Sequence, residues 1–326
     1  GRLGRPYVFT YHSPAWTCRR ETLLRWGRQP CDGEVRALRC AACKVQERMA
    51  GPPLLGYAGA LASALATPFR SCLPPGVRRR LAFTAESAIY RRCVRTFLGA
   101  CSRIMACAEW SIPVLQANGA PAGRILHLPQ GVSEDFPPRR DAGGAPDDLF
   151  NVGYIGRMNE VKGLHILVEA FRRTRYPKAR LLLYGWSEAP ALVDYGRLLK
   201  SLAGDDPRIQ FIPERPAAEM PAAYAGLSLL AIPSVWMETG PLTLLEALQS
   251  GIRVYGSNRI GQRALLEHYG RVVDPNTPAA WARALEGAFA EHARGTWSRV
   301  HLDQPLPTMN DVAARMAEVY RSVIAP

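Results

Sequence analysis

From Leu149 onward the chain alternates short apolar runs with amphipathic stretches, and few folds accept that rhythm. "LFNVGYIG", "ARLLLYG", "RIQFIP", "LSLLAIP" and "IRVYGS" are rich in Leu, Ile and Val, and turn residues bound them. Between them lie "GLHILVEAFRRT", "PALVDYGRLLKSLA", "AEMPAAYAG" and "PLTLLEALQS", and "PAAWARALEGAFAEH" follows the last. These place apolar residues three and four apart, the period of a helix with one buried face. A strand that is apolar on both faces must be covered on both faces. The alternation therefore predicts a parallel sheet with helices on either side, an α/β doubly wound domain. Ligands of such sheets sit outside the carboxyl ends of the strands.

The earlier part of the chain is less regular. "RPYVFTYH" (Arg5–His12) reads as a strand, and a loop with four cysteines follows it. "PPLLGYAGALASALATP" (Pro52–Pro68) reads as a loop and a helix of interfacial character. A helical pattern runs from Gly76 to about Ala100, with Arg78, Arg79, Arg80, Arg91, Arg92 and Arg95 on its polar side. "SRIMACAEW" is a buried strand leading through "SIPVLQANG" as a helix to a further strand, "RILHLPQGV". "PPRRDAGGAP" (Pro137–Pro146) has the composition of a linker. A length of 326 residues fits two domains, and 48% hydrophobic residues fit a real core. No apolar run reaches the ~18 residues that span a bilayer. No signal peptide is visible, and a chain that opens on Gly1 reads as a fragment or a processed protein.

Charge is unevenly spread. Up to Pro146 there are 21 Lys and Arg against 9 Asp and Glu, while the remainder is close to neutral. A one-sided basic field suits an anionic partner: a membrane surface, a nucleic acid or a phosphorylated substrate. All eight cysteines lie between Cys18 and Cys107. Cys40 and Cys43 have the CxxC spacing of a zinc knuckle, and Cys18 and Cys31 complete a set of four thiolates for a structural zinc. The arginines interleaved with them are expected to lower the thiol pKa values. Reduced, unliganded thiols are the alternative. The other four cysteines read as helix-core residues.

Three strand ends carry polar residues. In "YIGRMNEVKG", Gly156 permits close backbone approach, Arg157 offers a fork for phosphate, and Lys162 offers a point charge. Gly185 follows the next strand as a tight turn. In "METGPLTLLEALQSG", Gly240 and Pro241 precede a helix whose first position suits Pro241. Free N–H groups at Leu242, Thr243 and Leu244 would then form an anion site at the helix start. Glu238 flanks that site and is better matched to a sugar hydroxyl than to phosphate. Glu246, two turns deeper, suits a ribose diol. Trp236 and Met237 read as packing residues, with the shaping of a sugar pocket as the alternative.

Together, "GRMNEVKG" and "ETGPLTLLEAL" resemble the C-terminal domain of retaining GT-B glycosyltransferases of family 4, with its phosphate clamp and paired glutamates. "FTYHSP" resembles the strand of that family that ends in an active-site histidine, here His12. "MACAEWSIPVLQANGAPAGRILHLPQGVSEDF" resembles the helix and strand that lead to its P-N-G-V turn, here Pro129 to Val132. "DVAARMAEVYRSVIA" resembles its final helix, which returns to the first domain. The likeness departs in two places. The usual N-terminal strands and glycine-rich loop do not precede Gly1, and the GG-x-x-E motif is reduced to Ile260-Gly261-Gln262-Arg263-Ala264.

The resemblance implies two Rossmann-like domains facing a cleft, the first incomplete. Residues 1–143 would form the acceptor-side domain with a cysteine-rich insert at 18–43. Residues 144–308 would bind the nucleotide sugar, and 309–326 would form the returning helix. It implies transfer of a sugar from a UDP- or GDP-sugar to a glycan or lipid-linked acceptor, with retention and without a required cofactor. His12 and Glu238 would hold the sugar and Glu246 the ribose. Gly156, Arg157, Lys162, Gly185, Gly240, Pro241, Leu242 and Thr243 would surround the diphosphate. The expected location is the cytoplasm, peripherally at the inner face of the plasma membrane. A nucleotide-sugar epimerase, a nucleic-acid-binding protein and a non-catalytic subunit are the rival readings; no nucleic-acid reading module is present.

Overall fold

The computed structural model describes residues 5–134, 136, 148–186 and 193–324. The linker expected at Pro137–Pro146 lies outside them. The chain divides into two compact units, residues 1–128 with 316–326, and residues 129–315.

In the first unit, β1 (Val8–Tyr11) leads to a two-residue hairpin, β2 (Leu24–Arg25) and β3 (Gln29–Pro30). Helices α1 (Ala37–Met49), α2 (Pro53–Ala66), α3 (Pro75–Arg80) and α4 (Phe83–Ala100) follow. Next come β4 (Arg103–Ala106), α5 (Ser111–Ala117) and β5 (Ile125–His127). Strands β1, β4 and β5 form a parallel sheet in that order, with Tyr11 opposite Ala106. Phe9, Tyr11, Leu98, Ile104 and Leu115 form its core.

Two expectations need correction here. The helix read from Gly76 to Ala100 is broken into α3 and α4. The Ser63 hydroxyl of α2 sits at the break, donating to the Leu81 carbonyl (2.8 Å) and accepting from the Thr84 amide (3.0 Å). That bond caps the new helix, where a continuous one would need the same backbone groups for itself. The remaining four cysteines are not helix-core residues: Cys101 and Cys107 are buried but follow the ends of α4 and β4, and Cys72 and Cys93 are exposed.

The second unit holds β6 (Phe150–Ile155), α6 (Leu164–Arg173), β7 (Ala179–Trp186), α7 (Val193–Ala203), β8 (Ile209–Pro213), α8 (Met220–Ala225) and β9 (Leu229–Ile232). It continues with α9 (Leu242–Gln249), β10 (Arg253–Ser257), α10 (Arg263–Tyr269), β11 (Arg271–Val273), α11 (Pro278–Ala293) and α12 (Met309–Ile324). The unit boundary falls within α12. Six parallel strands run in the order β11-β10-β9-β6-β7-β8. Alternate residues serve opposite faces, as the pleat requires. Leu181 and Leu183 pack with α6 and α11 on one face, and Leu182 and Tyr184 pack with α8 and α9 on the other. The order of the strands is that of a dinucleotide-binding sheet, and it reverses between β6 and β9. Crossovers leave that point on opposite faces, so a crevice opens outside the carboxyl ends of these two strands.

Candidate functional site

Two loops meet at that crevice, one after β6 and one after β9. Their backbones touch, with the Val235 amide donating to the Val161 carbonyl (2.9 Å). Gly163 begins α6 with φ +73°, a left-handed conformation that costs glycine little. A Cβ there would lie 2.1 Å from the Pro233 carbonyl oxygen, so only glycine lets the loops close. Beneath them, the Ser257 hydroxyl donates to the Ser234 carbonyl (2.7 Å), and the Asn276 side-chain amide donates to the Pro233 and Ser234 carbonyls (3.0 and 3.1 Å). Trp281 Nε1 in turn donates to Asn276 Oδ1 (2.6 Å). The β9 loop is therefore held from below by side chains whose own hydrogen bonds fix them.

On this frame the structure brings Lys162 and Glu238 together. Lys162 Nζ donates to Glu238 Oε1 at 2.7 Å, and the Ser234 hydroxyl donates to the same oxygen at 2.6 Å. Glu238 is only 5% exposed, and its amide donates to the Arg259 carbonyl (2.8 Å). The ammonium also lies 5.4 Å from the Trp236 ring centroid, a cation–π distance. Buried Tyr154 donates to the Arg157 carbonyl (2.7 Å), which shapes the turn below the exposed Arg157 side chain. Burial, and then the nearby Glu238 charge, hold the Tyr154 phenol well above its ordinary pKa, so it remains a donor. Gly185 backs the turn closely; a Cβ on it would stand 2.2 Å from the Gly156 carbonyl oxygen.

The helix start differs from expectation by one residue. Pro241 is the cap (φ −68°, ψ 118°) and Leu242 is the first helical residue. The Leu244 amide is not free, because it donates to the Pro241 carbonyl (3.0 Å) in a tight first turn. Glu246 lies in the second turn of α9, half-buried, and its Oε2 accepts from the buried Tyr224 hydroxyl (2.6 Å).

Four residues near these loops carry a signal that the sequence reading did not use. Asn159 Oδ1, Trp236 Nε1, Gln130 Oε1 and both polar atoms of Gln262 are buried without a hydrogen-bond partner. Leaving such an atom unpaired costs about 1–3 kcal/mol. Folded proteins tolerate that mainly where a ligand, ion or water completes the set. Gln130 and Gln262 flank Gly240, where a Cβ would meet Gln130 Oε1 at 2.9 Å and Gln262 Cδ at 3.6 Å. The sequence hint at Gln262 was its place in the altered Ile260–Ala264 motif. Trp236 presents its indole N–H as well as its ring.

In the first unit, His12 is exposed at the carboxyl end of β1, and its Nδ1 lies 3.5 Å from Cys107 Sγ at the end of β4. Burial pushes the Cys107 thiol up to about 11, so it faces the imidazole protonated. Cys18, Cys31, Cys40 and Cys43 line one cavity of about 30 Å³. Cys40 and Cys43 lie on the first turns of α1 rather than in a loop. Among the described residues, however, no group of three or more His, Cys, Asp or Glu side chains stands close enough to hold a metal ion. A zinc ion would have to draw these sulfurs together. The expected lowering of the thiol pKa values is also reversed, since burial raises Cys31, Cys40 and Cys43 more than Arg39 and Arg20 lower them. Arg39 already forms an ion pair with Asp32.

Residues 150–291 match the family described as "Glycosyl transferases group 1". A D-inositol 3-phosphate glycosyltransferase of Corynebacterium urealyticum is 29% identical over 219 residues, which is 62% of this chain and 50% of that protein. The chain spans about half the length of the curated relatives it matches. Among solved structures, HepE of Anabaena in complex with UDP-glucose superposes with a TM-score of 0.58 at 19% identity, covering 72% of this chain and 68% of that one. A sucrose-phosphate synthase from Thermosynechococcus elongatus superposes with a TM-score of 0.60 at 24% identity, covering 73% and 62%. Residues 150–291 thus resemble the group 1 glycosyltransferases, and the parallel α/β sheets of the chain match the GT-B fold.

Proposed function

We propose that the protein transfers a glycosyl group from a nucleotide diphosphate sugar, with retention of configuration, to a glycan or lipid-linked acceptor. The observation that carries this reading is the Lys162–Glu238 pair, held at the point where the strand order reverses and beside the start of α9. A departing diphosphate gathers negative charge, and fixed positive groups lower the barrier to its departure. Lys162, Arg157 and the amides of Leu242 and Thr243 supply them. Glu238 orients hydroxyls of the transferred sugar, and Glu246 accepts from the ribose diol. His12 keeps the role that the family resemblance gives it, a hydrogen bond to the sugar. The departing phosphate oxygen takes the acceptor's proton as the new glycosidic bond forms on the same face.

Calorimetric titration of UDP, GDP and uridine into the protein, and product analysis with UDP-glucose, test this. Diphosphates should bind far more tightly than the nucleoside, and both Arg157→Ala and Lys162→Ala should narrow that gap. Equal binding of nucleoside and diphosphate would remove the phosphate site. A changed sugar nucleotide formed without any acceptor would make the protein an epimerase.

A further inference from the structure

Helix α2 is packed inside out. Its sequence, "PLLGYAGALASALA", contains no charged residue, so a helix buried in the unit's core would be expected to turn its leucines inward. The buried positions are instead the small ones, Gly56, Ala60 and Ser63. A Cβ on Gly56 would lie 2.5 Å from the Ala42 carbonyl oxygen, and one on Gly59 would lie 2.8 Å from Val45 Cγ1. The helix thus presses its glycine face against α1 and is bonded on the same side to the start of α4, where Thr84 Oγ1 donates to the Ala60 carbonyl (2.7 Å). Its leucines point the other way. Leu54 is 79% exposed and Leu65 75%, with Leu61 on the same stripe at helical spacing, and Leu55 and Phe69 beside it. Burying such side chains is worth far more than burying alanines, so a lone soluble chain gains nothing from this orientation. A contiguous exposed apolar stripe of this kind marks an interaction surface.

Charge narrows what covers it. Between Glu47 and Glu86 the chain carries five arginines and no acidic residue. Arg48, just before α2, and Arg79 on α3 are exposed. A second copy meeting this face would bring two arginine-rich segments, each without an acidic residue of its own, against each other. A surface that is apolar below and negatively charged above has the complementary layering. We infer that the leucine stripe of α2 lies in the interface of an anionic lipid bilayer, with the flanking arginines on lipid headgroups. The helix lies on the membrane and does not span it. It is about 21 Å long at 1.5 Å per residue, and no described helix is long and apolar enough to cross. The inference is independent of the donor site, because every residue it uses is in the first unit.

Co-sedimentation of the full chain with vesicles tests it, using phosphatidylcholine alone and phosphatidylcholine with about one-third phosphatidylglycerol, which supplies the negative surface charge that attracts basic interfacial segments. Binding is expected to the anionic vesicles only and to weaken as salt is raised. The triple variant Leu54→Ser, Leu61→Ser, Leu65→Ser changes only exposed side chains, and unchanged UDP affinity and circular dichroism would show that it is folded. It should reduce bound protein at least tenfold. Arg48→Glu with Arg79→Glu should do so without touching the leucines. Equal binding to both vesicles, or none to either, would overturn the inference. So would a dimer in sedimentation velocity that the leucine variant dissociates, since the stripe would then belong to a second copy.

Discussion

A buried carboxylate beside a phosphate site repels the ligand it is meant to serve. Glu238 avoids this because Lys162 stands against it at 2.7 Å and Ser234 donates to the same oxygen. The ammonium has three N–H groups, so it can hold Glu238 and still present donors to a diphosphate. The pair is only 19% and 7% exposed, and removing one partner of a buried pair leaves the other charged without compensation. We expect Lys162→Ala to lower unfolding free energy by about 2 kcal/mol, below the 3–5 kcal/mol of a fully buried pair, and to lower diphosphate affinity as well. Denaturant melts and calorimetry check both. Glu238→Gln keeps the shape and the Ser234 bond but loses the charge. It should cut turnover strongly while nucleotide affinity stays nearly intact, the signature of a group that acts on the transferred sugar. Glu246→Gln should do the reverse, weakening UDP by roughly 1–3 kcal/mol with a smaller effect on turnover at saturation. Tyr224 fixes the Glu246 carboxylate by one hydrogen bond, so the proposed ribose contact would depend on α8 as well as α9. If the two substitutions exchange patterns, the roles are wrongly divided along α9.

At the scale of elements, the site depends on how closely the loops after β6 and β9 approach. Gly163 sets that distance. A methyl at Gly163 meets the Pro233 carbonyl at 2.1 Å, and the backbone is left-handed there. Gly163→Ala should therefore separate the loops, lower the melting temperature, and weaken UDP without altering any group that touches it. Unchanged UDP affinity in a destabilised variant would show that the loop spacing matters only for folding. Much of this was legible beforehand. The β–α rhythm predicted the second unit's strands from β6 to β10, and the polar residues at their ends pointed to Gly156, Lys162 and Glu238, of which the structure brings Lys162 and Glu238 together. The elements missed in the second unit are α10 and β11, where "RALLEHYGRVV" is too short and too mixed to show either period, and in the first unit β2, β3 and α1 stand where a cysteine loop was expected. Residue spacing could not show that Ser63 would split α3 from α4, since that bond joins residues about twenty apart. It could not show the orientation of α2 either. In an uncharged helix both faces look apolar, and only the close approach of Gly56 and Gly59 to α1 decides which is buried. For the cysteines, composition and spacing predicted proximity, which the shared cavity shows, but ligand geometry depends on angles that spacing does not carry.

For the molecule as a whole, a basic cavity elsewhere in the second unit competes with the β6–β9 crevice as a place for the nucleotide. A cavity of about 410 Å³ lies between Arg253, Tyr255, His268, Arg271 and His301. Its basic lining suits a diphosphate by charge alone. Two considerations set it aside. Arg253 and Arg271 are the first residues of β10 and β11, so the cavity borders the amino ends of the strands, where parallel sheets do not present helix starts to a ligand. The cations there are also engaged. Arg253 pairs with Glu291 at 3.0 Å and lies over the Trp297 ring, and Arg271 lies over Tyr255. At the β6–β9 crevice, by contrast, Trp236, Gln130 and Gln262 hold buried polar atoms that lack partners. Pairing them would give a ligand binding energy that the other cavity does not offer. Hydrogen exchange on the full chain separates the two sites. Saturating UDP should slow exchange at residues 156–163, 233–244 and 260–263. The amides of 268–271 and 299–301 should be unaffected. The core strands on either side already exchange slowly and should change little. Protection centred on 268–271 and 299–301 would move the nucleotide to the amino ends of the strands, and the roles assigned to Lys162, Glu238 and Glu246 would fall with it.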